Sequence, residues 1–270
     1  MRRSRARTPP GAGGPAPSTT RPPPPRYHAR VIHAPLALTL DLDDTLWPIA
    51  PVMVRAEAAL QAWLLAHAPR AARRWPVDAM RALRERIGRE HPDLAHDYSA
   101  QRRLTLAHVF ADSGEDPTLV EPAFAAYFAA RNAVECYPDA IAALQRIAAR
   151  LPVAALTNGN ADLAAIGLQP HFRFSLGARE HGRPKPAACI FHAACARLQL
   201  APRQVLHVGD DAELDVAGAA RAGLATCWLN RDGRPWPRTD LRPDLEFATL
   251  AALADWLDAA LAPSHKTAAA

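Results

Sequence analysis

The feature that most constrains this chain is a short apolar run that ends in a group of carboxylates. Residues 36–40 are Leu-Ala-Leu-Thr-Leu, and Asp41, Asp43 and Asp44 follow directly. An apolar run without polar alternation predicts a strand buried on both faces, as in a parallel sheet flanked by helices. Ligands of such sheets bind beyond the carboxyl ends of the strands, where Asp41 and Asp43 would lie. Three neighbouring carboxylates repel one another unless a cation lies among them, so the pattern favours a metal site over a polar loop.

The elements that follow predict the fold class. Apolar strand candidates alternate with helical stretches in the second half of the chain, which predicts an α/β fold with a doubly wound, Rossmann-like parallel sheet. The strand candidates are residues 153–157, 174–176, 205–208 and 225–229.

A long helical insertion separates the first strand from the others. Apolar side chains recur every three to four residues within residues 49–134, and prolines interrupt the pattern, so we predict about four amphipathic helices. We expect them to form a cap that folds over the sheet as a lid. The α/β core then comprises residues 34–48 and 135–263.

The two ends of the chain differ from the middle. Residues 1–33 are rich in Pro and Arg, and we predict disorder there and in residues 264–270. Seven of the 32 Lys and Arg residues lie within residues 1–30, which contain no acidic residue, so the remainder carries 25 basic and 27 acidic side chains. The folded part is therefore not basic, and we expect a small-molecule substrate rather than a nucleic-acid partner.

The cysteines and the apolar runs predict the compartment. Four cysteines lie in apolar stretches without C-x-x-C spacing, which favours buried, unpaired thiols over disulfides or a zinc site. No uninterrupted apolar run approaches the ~18 residues of a membrane span, and residues 1–30 lack the apolar segment of a secretory signal. We therefore expect a cytoplasmic protein with no membrane partner. The cysteines are Cys136, Cys189, Cys195 and Cys227.

Four groups of polar residues lie at predicted strand ends or in the adjoining loops. They supply acids, a hydroxyl, an amide donor and an ammonium, which is the set that a phosphoryl group needs. Because parallel strands end at one edge of the sheet, we expect the four groups to converge. In chain order they are Asp41, Asp43 and Thr45; Thr157 and Asn158; Lys185; and Asp210, Asp211 and Asp215.

These groups resemble the four motifs of the haloacid dehalogenase (HAD) superfamily, in the family's order, over residues 36 to about 230. The resemblance implies that Asp41 attacks phosphorus and becomes an aspartyl-phosphate, and that Asp43 protonates the leaving alkoxide and then activates water. It also implies a Mg²⁺ cofactor held by the Asp41 carboxylate, the Asp43 backbone carbonyl and the Asp210 carboxylate.

The same resemblance implies roles for the remaining motif residues. The Thr157 hydroxyl and the Asn158 backbone N–H would hold phosphoryl oxygens, and Lys185 would neutralise negative charge on the phosphoryl group. Asp215 would support Lys185 or a metal-bound water, while Asp211 would either bind metal or cap the next helix.

The presence of Asp43 favours phosphate-ester hydrolysis over dehalogenation, because displacing halide from carbon needs neither a proton donor nor a metal. Longer strings, such as Leu42–Leu46 and Thr157–Ala161, resemble bacterial HAD phosphatases that hydrolyse flavin mononucleotide or the phosphorylated ribitylaminouracil precursor of riboflavin. The alternatives left open are a broad phosphatase of phosphoglycolate or nucleotides, a phosphomutase, and an adaptor that binds partners through residues 1–33 and carries a vestigial catalytic domain.

Several other polar residues have two readings. His207 lies within an apolar strand, which favours a hydrogen-bonded core histidine, whereas His181 lies in a loop near Lys185 and could contact substrate. Four residues of the insertion are candidates for substrate contact, and a solvated helix surface is the alternative for each of them. They are Arg55, Tyr98, Arg102 and Arg103.

Overall fold

The computed structural model describes residues 34–262, and its centre is a six-stranded sheet in which all strands are parallel. The order β3-β2-β1-β4-β5-β6 places β1 between β2 and β4, and it confirms the predicted doubly wound α/β fold. The strands are β1 (Ala37–Leu40), β2 (Val153–Thr157), β3 (Ser175–Gly177), β4 (Val205–Gly209), β5 (Ala225–Leu229) and β6 (Leu245–Phe247).

Five helices form a cap between β1 and β2, with an apolar core of its own that includes Leu60, Met80, Leu106 and Phe110. Helices α1 and α5 make its most extensive helix-to-helix contact. The cap helices are α1 (Ile49–His67), α2 (Pro69–Arg74), α3 (Val77–Glu90), α4 (Tyr98–Ser113) and α5 (Val120–Asn132).

Six further α-helices within residues 34–262 belong to the core. Helices α6 and α11 pack on one face of the sheet, against Leu38, Leu40 and Val208. Helices α9 and α10 pack on the other face, with Leu156 and Val205, because successive strand residues point to opposite faces. These helices are α6 (Ala140–Arg150), α7 (Leu163–Ile166), α8 (Ala178–His181), α9 (Ala188–Leu198), α10 (Gly218–Arg221), which follows a π turn at Ala212–Ala217, and α11 (Leu250–Ala260).

The cysteines form no disulfide in residues 34–262. Cys195 and Cys227 are buried, but Cys136 and Cys189 are partly exposed, so the prediction of burial is wrong for those two. Among the described helices, α1 alone has the length and apolar composition to cross a membrane, and its Leu60 lies in the cap core. The predicted disordered segments, residues 1–33 and 264–270, lie outside the described residues.

Candidate active site

Asp41 is the first residue after β1 and is fixed by the neighbouring strand. Its backbone N–H donates to the Val208 carbonyl at 2.9 Å. A tight turn follows, in which Asp44 adopts a left-handed φ of 58°, a conformation that Asp tolerates better than most residues. The Asp44 carboxylate accepts a bond from the Ile49 N–H at 2.9 Å, so the turn passes directly into helix α1. Strand and turn therefore aim Asp41 and Asp43 into the space beyond the sheet edge.

Lys185 lies between two carboxylates in the interior. Its Nζ is 2.6 Å from Asp41 Oδ1 and 2.6 Å from Asp215 Oδ1, and its side chain is about 2% exposed. Burial lowers the pKa of this ammonium, but Asp215 and Asp41 outweigh burial and raise it above its usual value. Lys185 is therefore charged at neutral pH and stands where it can neutralise an anion attached to Asp41.

Asp215 is held from several sides. His207 Nε2 lies 3.0 Å from Asp215 Oδ1, and the Asp211 N–H donates to Oδ2 at 3.0 Å. Although burial opposes it, Lys185 and His207 lower the pKa of Asp215. Burial lowers the pKa of His207, whose Nδ1 lies 2.9 Å from the Thr39 hydroxyl. The structure thus places Asp215 against Lys185, and places His207 in the core with a partner at each ring nitrogen.

The carboxylates of Asp41, Asp210 and Asp215 offer oxygens within 4.8 Å of one another. Burial raises the pKa of Asp41 well above its usual range, and the charges of Asp215 and Asp210 add to this while Lys185 opposes it. Burial, Asp215, Asp44 and Asp211 raise the pKa of Asp210 to about 7. The cluster therefore holds more negative charge than Lys185 compensates, which fits a divalent cation with oxygen ligands. Since Lys185, His207 and Asp211 engage Asp215, the carboxylates of Asp41 and Asp210 are the candidate ligands.

Asp43 is held by a residue that sequence reasoning missed. Arg131, in the last turn of α5, places Nη2 2.8 Å from both carboxylate oxygens of Asp43, and Trp47 Nε1 donates to Asp43 Oδ1 at 2.8 Å. Arg131 Nε also donates to Asn160 Oδ1 at 3.2 Å. Residue 159 must be small here, because a Cβ on Gly159 would lie 2.4 Å from Asp43 Oδ2. A cap arginine therefore contacts the second acid of the first motif.

The second motif lies at the end of β2. The Thr157 hydroxyl is buried and accepts a bond from the Gly159 N–H at 2.9 Å. The Asn158 side chain has a role that sequence reasoning missed, because it bonds both backbone groups of Lys185, with its Oδ1 2.7 Å from the N–H and its Nδ2 2.9 Å from the carbonyl. The amide therefore fastens the loop that carries Lys185 to the end of β2.

Asp211 stands at the start of the helix that follows β4. Its Oδ1 accepts bonds from the Glu213 N–H at 2.8 Å and the Leu214 N–H at 2.7 Å, which is the geometry of a helix N-cap. Thr45, the remaining motif residue, directs its hydroxyl toward Asp210 Oδ1 at 3.4 Å. The motif residues predicted from the sequence all lie at the carboxyl edge of the sheet.

Of the cap residues that were candidates for substrate contact, some lie at the surface and one lies in the interior. Arg103 pairs with Glu121 at 2.7 Å, and Tyr98 is about half exposed, whereas Arg102 is 1% exposed. The prediction of a solvated helix surface is therefore wrong for Arg102, which forms a buried ion pair with Glu57. The burial depends on a partner 45 residues away, which periodicity does not reveal.

A cavity of about 360 Å³, here called the cap cavity, lies between Asp43 and the cap. Met53 and Tyr127 contribute apolar surface to it, and Arg102 and Arg131 contribute guanidinium groups. Asp43 lies in its wall, so a molecule in the cavity would lie beside the second acid of the first motif.

The described residues thus form a capped, doubly wound α/β core with an Asp–Lys–Asp cluster at the carboxyl edge of its sheet. The family model described as haloacid dehalogenase-like hydrolase matches residues 36–223, and the chain belongs to this family. It is therefore an enzyme of the hydrolase class.

Named relatives include phosphatases and a dehalogenase. The chain is 33% identical to the 5-amino-6-(5-phospho-D-ribitylamino)uracil phosphatase YigB of Escherichia coli (strain K12), over 80% of this chain and 94% of that protein. It is 32% identical to a phosphoserine phosphatase of Thermus thermophilus, over 55% of this chain and 62% of that protein. A solved structure titled 2-haloacid dehalogenase from Pseudomonas syringae pv. tomato matches with a TM-score of 0.78 and 36% identity, over 83% of this chain and 98% of that one.

Proposed function

We propose that this enzyme is a Mg²⁺-dependent phosphomonoesterase that works through a phosphorylated Asp41. The observation that carries the proposal is the placement of Asp41 2.6 Å from the Lys185 ammonium, with Asp43 two residues further on at the wall of the cap cavity. A carboxylate nucleophile, a fixed cation and a second carboxylate are the groups that this chemistry requires.

The residues divide the reaction between them. Asp41 attacks phosphorus in line and displaces the alkoxide, and Lys185 offsets the repulsion between the carboxylate and the anionic phosphoryl group. Asp43 delivers a proton to the leaving oxygen and then removes one from the water that attacks the phosphorylated Asp41. Positioned acid–base catalysis of this kind is worth about 10²–10⁴-fold in rate.

Mg²⁺ would be held by the carboxylates of Asp41 and Asp210 and by the backbone carbonyl of Asp43. It would supply Lewis-acid polarisation of a phosphoryl oxygen. The fit rests on the carboxylate oxygens of Asp41, Asp210 and Asp215, which lie within 4.8 Å of one another. Burial, together with the charges of Asp215, Asp44 and Asp211, raises the pKa of Asp210 to about 7. The hydroxyl of Thr157 and the backbone N–H of Asn158 would bind the remaining phosphoryl oxygens.

The similarity to a solved 2-haloacid dehalogenase supports a second hypothesis, that this enzyme is a dehalogenase. The residues of the candidate active site do not favour that hypothesis. A halide leaves carbon without a proton, so a dehalogenase has no use for the Asp43 carboxylate or for an acidic cluster that attracts a cation. Turnover of 2-chloropropionate by the purified enzyme, without hydrolysis of any phosphate ester, would overturn the proposal.

The proposed substrate is flavin mononucleotide or the phosphorylated ribitylaminouracil precursor of riboflavin. The similarity to YigB along most of both chains and a cap cavity next to Asp43 support it. Phosphoglycolate or nucleotide substrates are the alternative. We further propose a cytoplasmic location, supported by the four free cysteines, which suit a reducing compartment.

The test is a panel of phosphate esters with and without Mg²⁺, using wild type and Asp41→Asn. We expect Mg²⁺-dependent release of phosphate, fastest from the two flavin-pathway esters, and only trace activity in the variant. Equal rates across the panel would overturn the proposed substrate, and full activity of Asp41→Asn would overturn the nucleophile. An adaptor role for residues 1–33 predicts cellular interactions that disappear when these residues are deleted, with hydrolysis unchanged.

A further inference from the structure

The cap cavity carries charged side chains beyond those that the phosphoryl chemistry uses. Three guanidinium groups reach its wall, from Arg84, Arg102 and Arg131, and each of them has a carboxylate partner. Glu57 pairs with both Arg84, at 3.4 Å, and Arg102, while Arg131 pairs with Asp43 at 2.8 Å.

The ion pair between Glu57 and Arg102 is buried in the cap. Arg102 is 1% exposed and Glu57 8% exposed, and the Arg102 guanidinium lies 4.2 Å from the centroid of the Tyr127 ring. A buried ion pair often stabilises a fold no more than apolar side chains of the same volume. Stability alone therefore does not account for a cluster of this kind at the wall of a cavity.

The arginines of the cavity are neutralised from two sides. Asp43 lines the cavity and pairs with Arg131, whereas Glu57 lies behind the wall and pairs with Arg84 and Arg102. Glu85, which is exposed, is a further carboxylate of the lining. An anionic group entering the cavity would have to compete with Glu57 or Asp43 for an arginine. An uncharged group meets polar N–H donors and the apolar surfaces of Met53 and Tyr127 without disturbing either ion pair.

We propose that the cap cavity selects an uncharged, oxygen-rich alcohol as the leaving group and excludes phosphorylated hydroxy acids. Glu57 is the specificity-determining residue, because it neutralises the guanidinium groups that would otherwise attract a carboxylate. The inference rests on the proposed function, since a leaving group exists only if the enzyme cleaves phosphate esters. It separates this chain from phosphatases whose substrates carry a carboxylate.

The test compares two esters that differ at one group. Ribitol 5-phosphate and ribonate 5-phosphate have the same carbon chain, and the distal end is a hydroxymethyl group in the first and a carboxylate in the second. We expect kcat/KM of the wild type to be at least about tenfold higher for ribitol 5-phosphate, because a carboxylate would lose its hydration in a cavity whose arginines are already paired with carboxylates.

Two charge variants test the role of Glu57. Glu57→Gln leaves two arginines without their carboxylate, so the preference for ribitol 5-phosphate should fall about tenfold or reverse. Arg84→Gln removes one positive charge and keeps the buried pair of Arg102 intact, so the preference should grow. The matched control is Glu121→Gln, which removes a carboxylate that pairs with Arg103 away from the cavity and should leave the preference unchanged.

Hydrolysis of p-nitrophenyl phosphate, whose leaving group carries no carboxylate, reports the intact catalytic site in every variant. A wild type that hydrolyses ribonate 5-phosphate as well as ribitol 5-phosphate would overturn the inference, and so would unchanged preferences in both Glu57→Gln and Arg84→Gln. If the wild type hydrolysed no ester at all, p-nitrophenyl phosphate included, the proposed function would fall and the inference with it. If Glu57→Gln does not fold, Arg84→Gln decides the question: a larger preference for ribitol 5-phosphate than in the wild type supports the inference, and an unchanged or smaller preference overturns it.

Discussion

Asp210→Asn is expected to stabilise the metal-free protein and to abolish its hydrolytic activity. Burial and the charges of Asp215, Asp44 and Asp211 raise the pKa of Asp210 from 3.8 to about 7 in the folded state, whereas an unfolded Asp has a pKa near 3.9. Between about pH 4 and pH 7 the folded state therefore binds more protons than the unfolded state. The free energy of unfolding therefore falls as the pH rises from about 4 to about 7, and above about pH 7 the charged Asp210 destabilises the folded state by its full amount.

The size of the effect follows from the same pKa. A change from 3.8 to about 7 corresponds to about 4 kcal/mol, at about 1.4 kcal/mol for each tenfold change in proton affinity. Water penetration and relaxation reduce this, so we expect Asp210→Asn to raise the free energy of unfolding by about 2–4 kcal/mol at pH 8. An Asn can still accept the bond that the Thr45 hydroxyl directs at Oδ1 over 3.4 Å.

The assay is urea-induced unfolding at pH 5 and pH 8, in EDTA and in Mg²⁺. In EDTA the advantage of the variant at pH 5 should be roughly a third of its value at pH 8. Mg²⁺ should stabilise the wild type and have little effect on the variant, because ligand binding to the folded state adds to its stability. Asp78→Asn, at an exposed carboxylate of the cap, is the control and should behave as wild type. A variant less stable than wild type at pH 8 in EDTA would refute the reasoning.

Three further substitutions test single residues of the site. Lys185→Met should lower kcat on the order of 10²–10³-fold, measured with p-nitrophenyl phosphate, because Asp41 loses its neutralising cation. Arg131→Met should lower kcat more for alkyl phosphates than for p-nitrophenyl phosphate, whose leaving group needs no proton from Asp43; equal losses would contradict a positioning role. Asp211→Ala should lower the free energy of unfolding by about 1 kcal/mol through loss of the helix cap, with Mg²⁺ affinity unchanged by calorimetry; a large fall in affinity would make Asp211 a ligand.

The fold could be predicted wherever the local pattern was strong. Strands β2 and β5 lie at the predicted residues because both are apolar runs bounded by turns, and β1 begins one residue later than its apolar run. Strand β6 and helices α7 and α8 were not predicted, since each has only three or four residues and depends on neighbouring elements for its stability.

In the candidate site, too, the residues close to local sequence patterns could be predicted and the long-range contacts could not. The motif residues could be proposed from the sequence because each lies at a strand end or in the segment that follows a strand, and strand order brings these ends together. The Arg131 contact with Asp43 spans 88 residues, and the pairing of Arg102 with Glu57 spans 45. The first contact depends on how the cap packs on the core, and the second on how helices α1 and α4 pack within the cap. Neither leaves a local pattern, although the position of Arg131, just before the chain returns to the core, could have pointed to its contact.

The most direct test of the account is to trap the phosphorylated residue. An acyl phosphate is reduced by borohydride to an alcohol, so quenching the enzyme with borohydride during turnover of p-nitrophenyl phosphate in Mg²⁺ should convert an aspartate to homoserine. We predict homoserine at residue 41 by peptide mass spectrometry, and none without substrate. Homoserine at another residue, or an unmodified residue 41 during demonstrated turnover, would contradict the assignment of Asp41 as the nucleophile.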